Sequence, residues 1–562
     1  MESPGHQKYM LKITNYSRQY LYKSLLTLLI VGTISCSTTT ENIKEDKRPN
    51  ILLLVADDLG YADLGCYGGD IETPNIDKLA SSGILFSRYH TSPLCAPTRA
   101  MLLSGNDNHI AGMGSQGLVT DEFGYEGRIS TRTMIIPEVL KKAGYHTYMA
   151  GKWHLGMDSL ANPFRRGFER VFANLGSSGN HYNNQGLFAD DPLSVYTEDG
   201  KPADWETGKY STDFFTDKLI EYINEDKADG KPFFAFAAYT SPHWPLQVDE
   251  EYWRKYEGKY NDGYEVLKER RLESLKRAGL VPENAVLPPN HTRVKPWSSL
   301  TDEEKKKESR KMELYAGMVD NLDYNIGRLI QHLKDIGEYD NTLILFMSDN
   351  GAAAEDFYYG DSYGPFIREH FTDAYESMGQ PNSFISYGPQ WAEASSSPFK
   401  YFKQQTTEGG IIAPMIISGP AIEEGGIIHH GLVTLMDVAP TFYEVAKAEY
   451  PETHNNKNLY PLKGNSIMPL ATGIADKVHD DDYVFGLEHR NRAMIRKGDW
   501  KITNTTRPFD TANFELYNLS NDLAELNNLK ESEPEKYQEL LLEWTKFSEE
   551  IKVQVPTPTR KQ

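Results

Sequence analysis

Cysteine is almost missing from this chain: 562 residues contain three, Cys36, Cys66 and Cys95. So few thiols exclude a disulfide framework, and each cysteine needs its own explanation. Positive charge is in deficit, with 59 Lys and Arg against 80 Asp and Glu, a formal net charge of -21. That balance excludes a nucleic-acid or anionic-membrane footprint for the body of the protein. An anionic substrate would have to be drawn by a local basic pocket. A membrane-spanning run is lacking at the N-terminus, where the apolar stretch 25–34 is too short to cross a bilayer. Preceded by Lys8, Lys12, Arg18 and Lys23, it suits the core of a signal peptide. Length is what the chain has in plenty, and 562 residues bury a sizeable core without special staples.

The apolar stretch ends Thr33-Ile34-Ser35-Cys36. This resembles a bacterial lipobox, whose cysteine is lipidated and becomes the mature N-terminus, with Thr33 standing where leucine is usual. A polar tether, 37–48, follows at once. The expectation is an exported protein of the periplasm or bacterial cell surface, with residues 1–36 as a lipoprotein-type signal and the membrane touched only through a lipid on Cys36. The alternative is an ordinary signal peptide in which Cys36 is incidental.

From residue 49 onward, short apolar runs alternate with amphipathic stretches, the pattern of an α/β domain with a mainly parallel sheet. Residues 51–55, 233–238, 342–347 and 414–417 read as buried strands. Met318, Leu322, Ile326, Leu329 and Leu333 recur at helical spacing and mark the apolar face of a covering helix. The highly charged stretch 250–308 reads as a helical insertion on the surface of a large domain spanning 49–470. From 471 to 562 the style changes to a smaller subdomain. Short antiparallel strands at 483–487, 493–496 and 500–502, with the turn Lys497-Gly498-Asp499, precede a helix at 533–551.

Chemistry-bearing residues collect at the expected strand ends. Strand 51–55 delivers Asp57 and Asp58 into the loop beyond it, and strand 342–347 delivers Asp349 and Asn350. Open α/β sheets place their sites there. Adjacent aspartates belong either in solvent or on a cation, and an all-oxygen set suits calcium or magnesium better than zinc. Cys95-Ala96-Pro97-Thr98-Arg99 precedes the apolar helical stretch 100–103, with Pro97 in the first turn. This puts Cys95 at a helix N-terminus, where backbone N–H groups favour anions. Taken alone, such a cysteine is more often structural. Lys152 and His154 stand two apart in Gly151-Lys152-Trp153-His154-Leu155-Gly156, at the end of the run 147–150, and share one face if the segment is extended. His243 follows the strand 233–238, and Lys403 lies five residues before Glu408-Gly409-Gly410. Alone, His154 reads as a structural hydrogen-bonder and Lys403 as a solvated surface lysine.

These motifs together resemble the type I, formylglycine-dependent sulfatases of the alkaline-phosphatase superfamily over nearly everything after the tether. The resemblance implies a large mixed, mainly parallel sheet sandwiched by helices. Cys95-x-Pro97-x-Arg99 matches the family's maturation signature. It implies that a formylglycine-generating enzyme oxidises Cys95 to an aldehyde (3-oxoalanine), whose hydrate is the nucleophile and is steadied by Arg99. It further implies one Ca2+, with Mg2+ as the variant, held by Asp57, Asp58, Asp349, Asn350 and residue 95. Lys152 would contact the sulfate and the formylglycine. His154 would be the base that lets the aldehyde reform, and His243 and Lys403 would bind sulfate oxygens, one of them helping to protonate the leaving alkoxide. Cys66 and the His429-His430 pair have no place in this scheme. Cys66 reads as a packed small residue and the histidines as a polar edge before the apolar run 432–436.

Gly105-Asn106-Asp107-Asn108-His109-Ile110-Ala111-Gly112, Asn180-His181-Tyr182 and the charged region around 264–280 resemble the bacterial arylsulfatase branch. The substrate stays open between an aryl sulfate and a sulfated glycan, for which an aromatic content of 12% offers stacking surfaces. Two rivals remain. A phosphonate monoester or phosphodiester hydrolase shares the fold, but that family's pattern puts histidine at Asn350. A non-catalytic glycan-binding relative would be expected to have lost at least one of the charged positions above.

Overall fold

The structure is a computed structural model that describes residues 48–117 and 119–554. The proposed signal peptide, Cys36 and the tether up to residue 47 lie outside the described residues. Ten strands form the main sheet. In chain order they are β1 (Asn50–Ala56), β2 (Gly83–Phe86), β3 (His146–Lys152), β4 (Arg170–Asn174), β5 (Tyr196–Glu198), β6 (Lys201–Pro202), β7 (Phe233–Ala238), β8 (Thr342–Ser348), β9 (Met415–Ser418) and β10 (Ile427–His429). Their spatial order is β10-β2-β9-β8-β1-β7-β3-β4-β5-β6. The run β8-β1-β7-β3-β4 is parallel, and β9 and β5 join it antiparallel on either side.

Why these strands are uniformly apolar follows from the layers. In β1, Leu52, Leu54 and Ala56 join the core on one face of the sheet, while Ile51, Leu53 and Val55 join the core on the other. A parallel sheet covered on both faces needs such runs, and each fully buried aliphatic side chain contributes roughly 1.5–3 kcal/mol. Helix α1 (Cys95–Ser104) packs on the second face. Helices α2 (Ser211–Asp226), α3 (Tyr264–Arg277) and α4 (Asp302–Asp335) cover the first. The spacing Met318 to Leu333 is the buried stripe of α4.

The charged stretch 250–308 is helical as expected, but it is not a surface appendage. Residues 302–308 are the first turns of α4. On α3, Tyr264, Leu267, Lys268, Arg271, Leu272 and Leu275 are buried. Arg271 is buried because its guanidinium is neutralised: Nη1 donates to Asp63 Oδ1 at 2.7 Å and Nη2 to Asp70 Oδ1 at 2.9 Å. Charge count alone therefore misjudged the position, since partners from residues 63–70 make the burial tolerable. Cys66 is half-buried in a short 3-10 turn, its N–H given to Asp77 at 2.7 Å. His429 lies on edge strand β10, and His430 Nδ1 is 2.8 Å from Ser87 Oγ.

The C-terminal region forms a four-stranded antiparallel sheet, β11 (Val484–His489), β12 (Arg492–Lys497), β13 (Trp500–Asn504) and β14 (Glu515–Asn518). Gly498, at φ +58°, makes the β12–β13 turn. One face meets helix α5 (Pro534–Glu550) through Ile495, Ile502, Leu516, Leu540 and Trp544. The other sends Phe485, Leu487 and Met494 into the main core. Buried ions fasten the two sheets. Lys501 Nζ donates to Glu408 Oε1 at 2.6 Å and stands 2.9 Å from Glu525. His109 Nδ1 and Nε2 lie 3.0 and 3.1 Å from Asp107 and Glu488.

Both ring nitrogens of His109 face carboxylates, so the charged imidazolium is favoured; burial works against it, but Asp107 and Glu488 prevail and lift the pKa to about 9. A raised pKa stabilises the fold fully below the unfolded value near 6.5, and that contribution is lost as pH rises toward 9. His109→Gln is therefore expected to cost on the order of 3 kcal/mol at pH 6. The melting-temperature gap to wild type should shrink between pH 6.5 and 9, and a gap independent of pH would show that the ring is not charged.

Candidate active site

Three parallel strands and one helix end at the same point. Beyond β1, Asp57 and Asp58 turn into the interior; Asp58 adopts φ +69°, a strained conformation for a non-glycine residue. Beyond β8, Asp349 and Asn350 enter beside them. Helix α1 begins at Cys95, with Leu94 extended before it and Arg99 one turn on. All of these side chains are buried. Cys95 Sγ lies 3.6 Å from Asp57 Oδ1 and 3.8 Å from Asp58 Oδ1.

Each carboxylate has its own cation. Lys152 Nζ, at the end of β3, donates to Asp57 Oδ2 at 2.7 Å. Lys403 Nζ stands 2.6 Å from Asp58 Oδ1. Arg99 gives Nε and Nη2 to Asp349 Oδ2 at 3.1 and 3.0 Å, and its Nη1 to the Lys152 carbonyl at 2.8 Å. Asn350 Nδ2 donates to Asp58 Oδ1 at 2.6 Å. The glycines explain how the backbones get so close. A Cβ on Gly351 would sit 2.3 Å from the Gly409 carbonyl, and one on Gly151 would sit 1.9 Å from that of Ala238. Glu408-Gly409-Gly410 thus opens the short helical turn against which the Asn350 turn rests, and Lys403 N–H donates to Ala352 O at 3.0 Å across the same contact.

His243 Nε2 is 3.4 Å from Asp58 Oδ2, and its Nδ1 donates to the Trp244 carbonyl at 2.7 Å. His181 of the Asn180-His181-Tyr182 motif supports it, with Nε2 3.1 Å from the His243 carbonyl and Nδ1 2.7 Å from Ser211 Oγ. His154 is reached differently from expectation. The strand stops at Lys152, and His154 takes a left-handed φ of +58°, so Lys152 and His154 meet the site through a turn and not by alternation along an extended segment. Its Nδ1 is buried without a hydrogen-bond partner among the described residues.

The charges set the proton positions. Burial would raise Asp58, but Lys403, His243 and Lys152 outweigh it and hold the carboxyl at about 2. Burial and the neighbouring Asp57 push Asp349 up to about 6 against the pull of Arg99. Burial disfavours charge on Lys403, yet Asp58 keeps its pKa well above the ordinary lysine value. Burial, then Lys152, Arg99, Lys403 and His243, drive His154 well below its ordinary value, so the ring is neutral and takes up a proton only when a bound anion offsets those cations. Burial also takes His243 down to about 3. Cys95 is pushed well above its usual range by burial, which makes the unmodified thiol a poor nucleophile here.

All ten residues anticipated as catalytic or metal-binding thus lie in or beside one site. The rim was not anticipated. Trp244, Phe357, Phe188 and Tyr363 form an aromatic wall next to His243, with Trp244 and Phe357 centroids 4.9 Å apart and Phe188 and Tyr363 centroids 4.9 Å apart. These residues come from three separate stretches of chain, Phe188 ending a short strand, and no local motif announces them.

Comparison with known proteins places the chain among the sulfatases. Residues 49–448 match the sulfatase family model, and residues 399–554 match that of the C-terminal region of N-sulphoglucosamine sulphohydrolase. An uncharacterized sulfatase of Schizosaccharomyces pombe is 40% identical over 91% of this chain and 95% of its own. The arylsulfatase of Klebsiella aerogenes is 37% identical over 76% of this chain and 93% of its own. The crystal structure of Ps i-CgsB in complex with k-i-k-neocarrahexaose is 26% identical, covers 89% of this chain and 93% of its own, and superposes with a TM-score of 0.63.

The oxygen donors of Asp57, Asp58, Asp349 and Asn350 also fit a hard divalent cation. Ligand atoms of Asp57, Asp58, Cys95 and His243 lie within 4.8 Å of one another. Asn350 Oδ1 is buried and, among the described residues, accepts no hydrogen bond. A cation binding only the folded chain stabilises it by about 2.7 kcal/mol at a hundred times its Kd. Calcium or magnesium added to EDTA-treated protein should therefore raise the melting temperature. Affinity should weaken below about pH 6, as protons compete for Asp349. Asn350→Ala should weaken it at every pH, and a melting temperature indifferent to both ions would refute the site.

Proposed function

The chain belongs to the sulfatase family, and from that membership and the geometry above we propose a formylglycine at position 95 as nucleophile and a calcium ion on the aspartate cluster. The enzyme is a sulfatase that hydrolyses sulfate esters, and the proposal concerns how and on what. The observation that carries it is the placement of residue 95: first in a helix, buried, within 4 Å of two aspartates whose counter-ions are Lys152 and Lys403. Cys95 Sγ stands in for a hydroxyl of the hydrated aldehyde. Formylglycine, once made by a maturation enzyme, supplies a hydroxyl nucleophile and a second hydroxyl for release, which a thiol lacks. Bound calcium would lie among Asp57, Asp58, Asp349 and Asn350 and supply positive charge where sulfate oxygens collect.

The protein's own groups do the rest. Arg99, clamped between Asp349 and the Lys152 carbonyl, fixes and steadies residue 95. Lys152, Lys403 and His243 offer cationic or polar contacts to the three non-bridging sulfate oxygens, replacing their present hold on Asp57 and Asp58. A hydroxyl oxygen of residue 95 bonds to sulfur as the ester S–O bond breaks, and the leaving alkoxide takes a proton from Lys403, or from His243 once the bound sulfate has offset the burial that holds its ring neutral. Neutral His154 accepts the hydroxyl proton that must leave residue 95 for sulfate to depart. Water is consumed overall, yielding an alcohol and sulfate. Asn350 supports a sulfatase over a phosphonate ester hydrolase, and retention of every charged position argues against a non-catalytic binder. The aromatic wall suits an aryl or carbohydrate leaving group by stacking, and the solved relative bound to an oligosaccharide supports a glycan. We also infer export, with Cys36 carrying the lipid anchor.

The test is sulfate release from an aryl sulfate by mature protein co-expressed with a formylglycine-generating enzyme, with a phosphonate ester beside it. Turnover should vanish in Cys95→Ala while the melting temperature holds, and should fall about 10²–10⁴-fold in His154→Ala. Preferential phosphonate cleavage, or near-normal rates in Cys95→Ala, would sink the reading. For the anchor, intact-mass spectrometry of membrane-extracted protein should show a chain beginning at Cys36 with a diacylglycerol adduct; a soluble chain cleaved elsewhere would disprove it.

A further inference from the structure

Beside the reacting centre lies a cavity of about 260 Å³ lined by His291, Arg293, Glu355, Lys403, Gln404 and Arg492 among others. Lys403 is shared: its ammonium serves Asp58 on one side, and its residue forms the inner wall of this cavity on the other. The outer wall is basic. Arg492 lies across the Lys403 loop, donating Nη1 to the Gln404 carbonyl at 3.1 Å and Nε to that of Thr505 at 3.3 Å. Arg293 reaches in from residues 291–293 with its guanidinium 5.4 Å over the Phe402 ring. Arg490, whose Nε donates to the Gln116 carbonyl at 2.8 Å, and the exposed Arg507 stand close enough for the guanidinium charges to repel one another. Burial and that mutual repulsion bring Arg492 down to about 10.

Among the described residues none of these four arginines forms an ion pair with a carboxylate. The contrast with the rest of the chain is informative. Acidic groups outnumber basic ones by 80 to 59, and elsewhere even Arg99 and Arg271 are buried only with aspartates attached. The one carboxylate lining the cavity, Glu355, accepts from Gln404 Nε2 at 2.7 Å on one oxygen, and its charge offsets part of that of Lys403 and Arg490. Arg293 and Arg492 line the cavity, with Arg490 and Arg507 close by; gathering so many guanidiniums without direct ion pairs is costly for the free protein, and their planar forks match sulfate or carboxylate oxygens.

We propose that this cavity is a subsite for a second anionic group, a sulfate or carboxylate on the part of the substrate that stays after desulfation, so that multiply charged saccharides are preferred over singly sulfated ones. The proposal rests on the sulfatase reading for its orientation, because Lys403 is taken as the sulfate contact that joins the two compartments. It is otherwise independent of turnover, since binding alone reveals it.

The experiment uses monosulfated disaccharides matched in size, whose second ring carries no charge, a sulfate or a carboxylate, titrated calorimetrically into the mature Cys95→Ala chain. One or both doubly charged ligands should bind about tenfold or more tightly than the neutral-ringed one, the advantage shrinking in high salt. The arm that gains identifies the anion. In Arg293→Gln/Arg507→Gln, whose side chains donate no hydrogen bonds to the backbone of the fold, the advantage should fall toward unity with the melting temperature kept. Equal affinity for all three ligands, or an advantage that survives the double variant, would overturn the proposal. Loss of sulfate release in an active-site assay would instead count against the reaction assigned above and leave this binding comparison intact.

Discussion

Everything in this molecule is arranged around three carboxylates that would repel one another in a space closed to water. Asp57, Asp58 and Asp349 are fully buried and adjacent, and bringing even one unpaired carboxylate into such a place costs several kcal/mol. The chain meets that cost with one cation apiece, Lys152, Lys403 and Arg99. Removing any one partner leaves a buried charge exposed to its like neighbours. The same constraint is what makes the site useful: cations held ready for carboxylates are equally ready for the oxygens of an incoming anion, and a divalent ion can relieve the lysines of their present duty.

The fold follows from the need to hold those groups rigidly. β1, β3, β7 and β8 are neighbours in one parallel sheet, so their C-terminal ends deliver Asp57, Lys152, His243 and Asp349 to the same edge. Apolar packing on both faces fixes the strands, and close backbone contacts at Gly151 and Gly351 set the loops without room for a side chain. Strain is accepted where it aims a group, as at Asp58 and His154. The C-terminal sheet serves this arrangement indirectly, because Lys501 grips Glu408, the residue that begins the short helical turn braced against the Asn350 turn.

Much of this was legible in sequence because strand, turn and function are locally encoded. An apolar run followed by Asp-Asp, or by Ser-Asp-Asn-Gly, announces both a buried strand and what it carries, and the parallel sheet then brings such ends together. Two kinds of feature were not legible. Burial of a charged helix depends on partners far away in the chain: Arg271 reads as solvent-facing until Asp63 and Asp70 are seen beside it. The rim of the site has the same origin. Trp244, Phe357 and Tyr363, or Arg293 and Arg492, converge only through the tertiary fold, and no spacing within any one segment marks them. The turn at His154 was missed for a different reason, since a left-handed residue after a strand leaves no compositional sign when it is not glycine.

An acidic protein that acts on an anion poses an electrostatic question that the rim helps to answer. A net charge of -21 spread over the surface acts over little more than the Debye length, about 8 Å at physiological salt. Inside that range, what a substrate meets is the wall in front of it. Here that wall carries Arg293 and Arg492, with Arg490 and Arg507 close by, and ends at Lys403, so an anion meets positive charge locally while the general surface repels; deeper in, Lys152, Lys403 and Arg99 are matched by aspartates until a divalent ion relieves them. Surface repulsion then works as a filter. It disfavours anions that lack a fitting arrangement of charges, and it leaves those that can satisfy both compartments at once as the ones the site retains.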